Sequence, residues 1–554
     1  ARLRGSFLFG AAPEPQAEYL LSNRQNHTVL YVSDPSSVAR LHLPDPVEER
    51  HIRRWIDDIA DAGFDLFNQE IWSQGWTAWW TSSNYQYDQR IQHRRFLPLI
   101  GSGVQPIEII IDHCHARGVG FVGGFRINDG HAYQAREQGL NVSEFIASNP
   151  QFRLTDFPAG KNYTTTEPLD FTFKEVRAFT LGVIEEAAIR FDLDGIELCF
   201  RDCGYFPAGT GADHAHLMTD FLAQVRRALQ ERARTRDRDF LLGARIHDSI
   251  PGALSLGLDA ATWIREGLLD YVSPQDTMYT DFNLDCASWS DLTGQTTCKL
   301  YPGILPWTSI RSRYRDRRVP MSHAANRAIA KTYYETGADG LSIYNHFVPS
   351  LWTSPFYPQR LQTFRHLGDP ERIDQSERHY IFDPTWDGHI GFGAPDKCST
   401  RIVKANRLII DRRNPAPGKY AFSLYEDLSN ASLATLLFRG TGLTHNDRIE
   451  VRLNGHLIEN DEIGRTAESD ARPTPTGEYH RLANGSTVPS LPEAGWFDGR
   501  PNPTPVFSTR WFRLRQDRML QGHNWLTVGL VESDPDARSD SIVIDEVEVF
   551  VEPL

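Results

Sequence analysis

The chain is poor in cysteine, with six among 554 residues, and a disulfide scaffold is thereby excluded. No run of eighteen apolar residues occurs, so no membrane-spanning helix is expected. Blocks of basic residues are missing as well. The formal net charge is −14 with Lys and Arg scattered, which argues against a nucleic-acid partner or an anionic membrane surface. There is no repeat of fixed period and no visible signal peptide, and the chain opens at ARLRGSFLFG without Met, as a processed or trimmed chain would.

What is present is ordinary for a globular protein: 40% hydrophobic and 23% charged residues. A length of 554 residues exceeds what one hydrophobic core supports, so two domains are expected. Aromatics reach 11%, with thirteen Trp, several of them in WSQGWTAWWTSSNYQY at 72–87. Such a segment is either a stacking surface for sugar rings or a packed loop. Cys286 with Cys298, or Cys199 with Cys203, could close a disulfide; buried thiols are the alternative, for Cys114 and Cys199 above all. Asn-X-Ser/Thr sequons at Asn26, Asn141, Asn162, Asn430 and Asn484 exceed the roughly three expected by chance and favour a secreted or extracellular location, periplasmic in a bacterium.

Short apolar or β-branched runs alternate with longer amphipathic segments from about residue 28 to 346, the pattern of parallel βαβ units. Eight runs are found, at 28–33, 64–72, 119–129, 193–202, 240–249, 269–276, 299–306 and 338–347. Gly63, Gly118, Gly267 and Gly337 stand where helices should end before strands begin. These features predict an α/β fold, a (β/α)8 TIM barrel over residues 1–372. Over 373–554 the pattern changes to strands without helices (KYAFSLYEDL, ATLLFRGTGL, RIEVRLNGHLI, WFRLRQ, NWLTVGLVE, SIVIDEVEVFVE), which predicts an antiparallel β-sandwich. Residues 460–508, rich in Pro, Gly, Asn and Thr, read as an excursion between strands.

In a (β/α) barrel the reactive groups lie at the carboxyl ends of the strands. Those ends carry Asn68, Glu70 and Trp72 on the second; Arg126, Asn128, Asp129 and His131 on the third; and Glu197, Arg201 and Asp202 on the fourth. His247 and Asp248 follow on the fifth, Gln275 and Asp276 on the sixth, and Tyr344, Asn345 and His346 on the eighth. The seventh, YPGILP, has no carboxylate. Polar groups repeated at one end of so many strands suggest a site, because a buried unpaired charge is costly. Each alone has a structural use too, as a helix cap or, for Arg126 and Arg201, as an ion-pair partner of Asp129, Glu197 or Asp202. No metal or other cofactor is expected. The first strand lacks an H-x-H, and His113 and His115 point to different faces of a helix; His131, His247, Asp129 and Asp276 would be the ligands if one bound.

The segment DLDGIELCFRDCGYFP at 192–207 resembles the fourth strand of glycoside-hydrolase-like barrel proteins of the family-10-like glycosyl hydrolase group. FRINDGH on the third strand and WIREGLLDYVSPQD into the sixth are similar to the same group. RIEVRLNGHLI and SIVIDEVEVFVE resemble galactose-binding-like sandwiches. The resemblance implies an enzyme hydrolysing O-glycosyl bonds of a polysaccharide or oligosaccharide, with a carbohydrate as its partner. Such cleavage needs two carboxyl groups flanking the bond, about 5.5 Å apart or about 6.5–9.5 Å. Glu197 as nucleophile or base and Asp276 as acid fit the placing in barrel galactosidases, with Asp248 or Asp129 as substitutes. Glu70, Trp72, Arg126, Asn128, His131, Arg201, His247, Tyr344 and Asn345 are the expected substrate contacts, the two arginines serving an acidic sugar. A non-catalytic glycan-binding barrel, or a lyase acting beside a uronic carboxylate held by Arg126 or Arg201, are the alternatives.

Overall fold

The computed structural model describes residues 28–34, 42–72, 75–129, 143–154, 168–200, 204–276, 279–308, 319–346, 355–382, 408–469, 479–481, 487–489 and 506–554. The eight expected strands all form. They are β1 (Thr28–Ser33), β2 (Leu66–Trp72), β3 (Gly120–Arg126), β4 (Gly195–Cys199), β5 (Leu241–His247) and β6 (Tyr271–Gln275), then β7 in two pieces (Lys299–Leu300 and Gly303–Ile304), and β8 (Gly340–Tyr344). All run parallel, in the order β7-β6-β5-β4-β3-β2-β1-β8-β7. The first piece of β7 pairs with β6 and the second with β8. One chain segment therefore joins both ends of the sheet, and the ring is closed.

Helices alternate with the strands on the outside. In α1 (Glu49–Asp61) Ile52, Trp55, Ile56 and Ile59 are buried at spacings of three and four, so one stripe faces the sheet. A reciprocal cap between Glu48 and His51 starts it. Beyond it Gly63 takes φ +87°, and Gly118, Gly267 and Gly337 likewise have positive φ where helices give way to strands, the conformation that favours glycine there. The segment around 72–80 is a packed loop: Trp72, Trp76, Trp79 and Trp80 are all buried in the main core. Leu30, Val32, Leu66, Tyr271, Tyr301, Leu305 and Tyr344 form a separate core inside the ring. Gly243 is needed beside it, since a Cβ there would collide with the Tyr271 ring.

Apart from two small sheets, one of Tyr279–Thr280, Trp307–Thr308 and Val319–Pro320 and one of Tyr479–Arg481 and Thr487–Pro489, the remaining described strands form two antiparallel sheets. One runs β9 (Arg378–Phe382), β17 (Ser541–Pro553), β12 (Ala431–Thr441), β15 (Val506–Arg513), β14 (Glu462–Ser469), with β10 (Leu408–Asp411) also on β17. The other runs β11 (Gly418–Leu424), β16 (Gly522–Glu532), β13 (Arg448–Leu453), then His456–Leu457. Buried Leu436, Phe438, Phe422, Leu526, Val528 and Ile544 belong to the core of this sandwich. Phe282 of the barrel packs against Tyr380 and Phe382 of β9. Trp496 and Phe497 lie outside the described residues, as do four of the sequons; Asn430 is exposed. Cys114, Cys199, Cys286 and Cys298 are free and buried, so of the two readings offered for Cys286 and Cys298 the buried thiols hold and the bridge does not; Cys203 is not among the described residues.

Burial also sets an acid limit to stability. Desolvation holds His42, His93 and His323 at about 4 and His346 at about 3, against an ordinary 6.5. The unfolded chain therefore binds protons below pH 6.5 that the folded chain refuses, and stability falls as pH drops from there towards 4. His366 is lowered as well, by desolvation and by Arg372 and Arg365, and only His115 among the described histidines opposes this, its pKa raised by its hydrogen bond to Asp194. The expected result is a Tm that declines steadily between pH 7 and 4.5 in a thermal melt series, and a flat profile would contradict it.

Candidate functional site

Strand register shows how deep each side chain lies. Glu70, Gly124, Glu197 and Gly243 are neighbours across β2 to β5. One row nearer the carboxyl ends come Arg126, Cys199, Arg245 and Ser273, and beyond them His247 and Gln275. Glu197 thus sits two rows beneath the rim formed by His247 and Gln275.

Two guanidiniums organise this interior. Arg126 reaches Glu70 through Nε at 2.7 Å and Asp129 through Nη1 at 2.8 Å, while its Nη2 contacts Asp34 and donates to the Tyr344 hydroxyl at 3.0 Å. Arg245 donates from Nε to Glu197 Oε1 at 2.9 Å, and its Nη2 lies 2.7 Å from the same oxygen and 3.2 Å from Glu70 Oε1. Its Cζ stands 4.6 Å from the Tyr344 ring centroid, so that ring meets both arginines. Asn68 Nδ2 donates to Glu197 Oε1 at 2.8 Å and the Tyr271 hydroxyl to Oε2 at 3.2 Å. Both oxygens of Glu197 are occupied, and the residue is 0% exposed.

Burial alone would strip these arginines of charge, yet both pKa values end up raised: by Glu70, Tyr344, Asp34 and Asp129 around Arg126, and by Cys199, Glu197, Glu70 and Tyr344 around Arg245. Tyr271 is pushed well above the ordinary phenol value by burial and by Glu197, so it stays a neutral donor. The interior is therefore a tightly ion-paired floor.

Glu70, Arg126, Asp129 and Tyr344 come together in this network, and Glu197 joins it through Arg245. Asp276 is half-buried just past β6, Asp248 half-buried past β5 with its carbonyl accepting from Trp289 Nε1 at 2.8 Å, and His247 buried at the end of β5. Asn345 is 5% exposed after β8. His131 and Arg201 lie outside the described residues.

Three expected substrate contacts are corrected. Trp72 is a core side chain, edge-on to Tyr85 and Phe179 at 5.8 Å each; the register slips between Glu70 and Trp72 and aligns Trp72 with the outward-facing Phe125. Asn128 clasps backbone instead, donating to the carbonyls of Leu169 and Gly204 and accepting from Leu169 N. Arg126 has every nitrogen engaged by the protein, which leaves it no fork for a sugar carboxylate. Asp34 and Arg245 went unnoticed in the sequence. Arg245 could have been found by strand alternation, two residues before His247; Asp34 directly follows β1. Among the described residues no cluster of three or more His, Cys, Asp or Glu is arranged to hold a metal ion.

No family model matches the sequence, and no curated protein does. Solved structures that align with the chain include a cycloisomaltooligosaccharide glucanotransferase from Paenibacillus sp., at 13% identity and TM-score 0.33 over 92% of this chain and 58% of that one. The PgaB (BpsB) glycoside hydrolase domain from Bordetella bronchiseptica aligns at 11% identity and TM-score 0.41, over 62% of this chain and 99% of the other. An α-amylase from Geobacillus thermoleovorans aligns at 12% identity and TM-score 0.39, over 87% and 98%. The chain spans just over half the length of the glucanotransferase. The fold assignment itself rests on the closed strand order and register described above.

Proposed function

We propose that this chain is a glycoside hydrolase whose active site lies at the carboxyl-terminal mouth of the barrel. One observation carries the reading: carboxylates on several strands converge there in two different settings. Asp34, Glu70, Asp129 and Glu197 are held by guanidiniums in the interior, whereas Asp276 stands half-buried at the rim. Acid and base roles divide in this way when the environments of two carboxyl groups differ. Asp276 is proposed as the proton donor to the leaving oxygen, and Asp129 or Asp248 as its nucleophile or base. Glu197, saturated by Asn68, Tyr271 and Arg245, is reassigned to hold the floor. Engagement of Arg126 by three carboxylates weighs against that side chain holding the uronic group of the lyase alternative, which leaves Arg201, outside the described residues, for that role. Secretion is part of the proposal, supported by the exposed sequon at Asn430.

The test is product analysis on a panel of plant, algal and microbial polysaccharides. New reducing ends without an ultraviolet-absorbing double bond are expected. Unsaturated products would establish elimination, and binding without cleavage would leave a glycan-binding barrel.

A further inference from the structure

Opposite the arginine-centred half of the mouth, the lining changes character. Ser273 and Gln275 on β6, Ser342 on β8 and Asn345 just after it are 0%, 2%, 0% and 5% exposed. Among the described residues, the Oγ atoms of both serines, both amide atoms of Gln275 and Oδ1 of Asn345 have no hydrogen-bond partner. Buried polar side chains nearly always find one, because leaving them unmet costs free energy. Ser273, Gln275 and Ser342 lie near one another across the seam of the ring. Gln275 lies across Gly303, where a Cβ would meet its amide, and Gly303 is the register partner of Ser342. The first piece of β7 pairs with β6 only as far as Val272, so Ser273 and Gln275 lie beyond the shared ladder. Asn345 is held at φ +48° with its N–H on Val32 O at 2.9 Å, a left-handed conformation that Asn tolerates and that recurs at functional sites.

We infer that this β6–β8 side of the mouth is a subsite for the hydroxyl groups of an uncharged sugar; the inference rests on the carbohydrate reading above and names its substrate class. The chemistry of the four side chains decides this. A hydroxyl both donates and accepts, as do Ser and the amide of Gln275, so neighbouring sugar hydroxyls satisfy this set in either sense. A carboxylate or sulfate cannot donate. The facing half also repels one: among the described residues Asp34, Glu70, Asp129 and Glu197 outnumber Arg126 and Arg245 by two charges, and of the two guanidiniums only Nη1 of Arg245 is left without a protein partner. An acidic sugar, one of the expectations from the sequence, is thus disfavoured.

Calorimetric titration of the full chain with glucose, galactose, mannose and xylose, beside glucuronate and galacturonate, tests this. At least one neutral sugar is expected to bind with an affinity insensitive to salt, and the uronates at least about tenfold more weakly. Gln275→Leu should weaken the neutral sugar about tenfold or more while leaving Tm unchanged or raised, since an unmet amide is replaced by an apolar group of similar shape. Ser342→Ala, a smaller change, serves as the second variant and should weaken binding in the same direction. Tighter uronate binding, or no neutral binding at all, overturns the inference. So does Gln275→Leu lowering Tm with unchanged affinity, which would mean that ordered water satisfies the amide. Neutral binding without cleavage of any polysaccharide supports this subsite and removes the hydrolase; cleavage of a uronic polymer does the reverse.

Discussion

An Arg245→Met variant is expected to lose about 3–5 kcal/mol of barrel stability, the cost of removing one partner from a buried ion pair. The side chain is 0% exposed and serves Glu197 and Glu70 together, so its loss leaves two carboxylates facing each other in the floor. Met fills much of the volume, which keeps the cavity contribution small and isolates the charge effect. A Glu197→Gln change in the same background removes one stranded charge and should recover part of the loss; the difference between single and double variants measures the coupling. Urea unfolding followed by near-ultraviolet signals of the buried tryptophans Trp72, Trp76, Trp79 and Trp80 reports on the barrel directly. A shift of Arg245→Met smaller than about 0.5 kcal/mol, the range of ordinary surface substitutions, would show that the floor is not held this way.

The second large effect is chemical. Asp276→Asn should lower kcat on a cleaved polysaccharide by about 10²–10⁴-fold, the usual contribution of a positioned proton donor. Its half-buried position at the rim predicts little change in Tm, which separates it from Arg245, where stability falls first. Asn keeps the shape and loses the transferable proton, so KM should move less than kcat. Unchanged turnover would remove Asp276 from the mechanism and turn attention to Asp248.

Most of the architecture could be read from the residues because each strand is a short apolar run and glycine marks the helix end before four of them, at Gly63, Gly118, Gly267 and Gly337. From the third strand on, strand ends were overshot by one to three residues, since polar side chains such as Asn128 and Asp129 continue the chain past the ladder without pairing in it. The site was less legible for a physical reason. Alternation along β2 holds for Asn68 and Glu70, but the slip before Trp72 turns that ring into the helix layer, and such a slip leaves no mark in composition. That Glu197 lies two rows deep could not be read from its own strand, because depth follows from pairing between strands and not from position along one. Asp34 and Arg245 were hidden by the same limit: each matters through partners 92 and 175 residues away, Arg126 and Glu70.

The divided seventh strand has a mechanical consequence. Its first piece grips β6, its second grips β8, and Pro302 between them has no N–H to donate, so the cylinder is fastened by its shortest run of bonds. The unmet groups of Gln275 and Ser342 flank that fastening. A sugar bridging them would clamp the ring at its seam, so that occupancy of the mouth and closure of the barrel become one linked equilibrium.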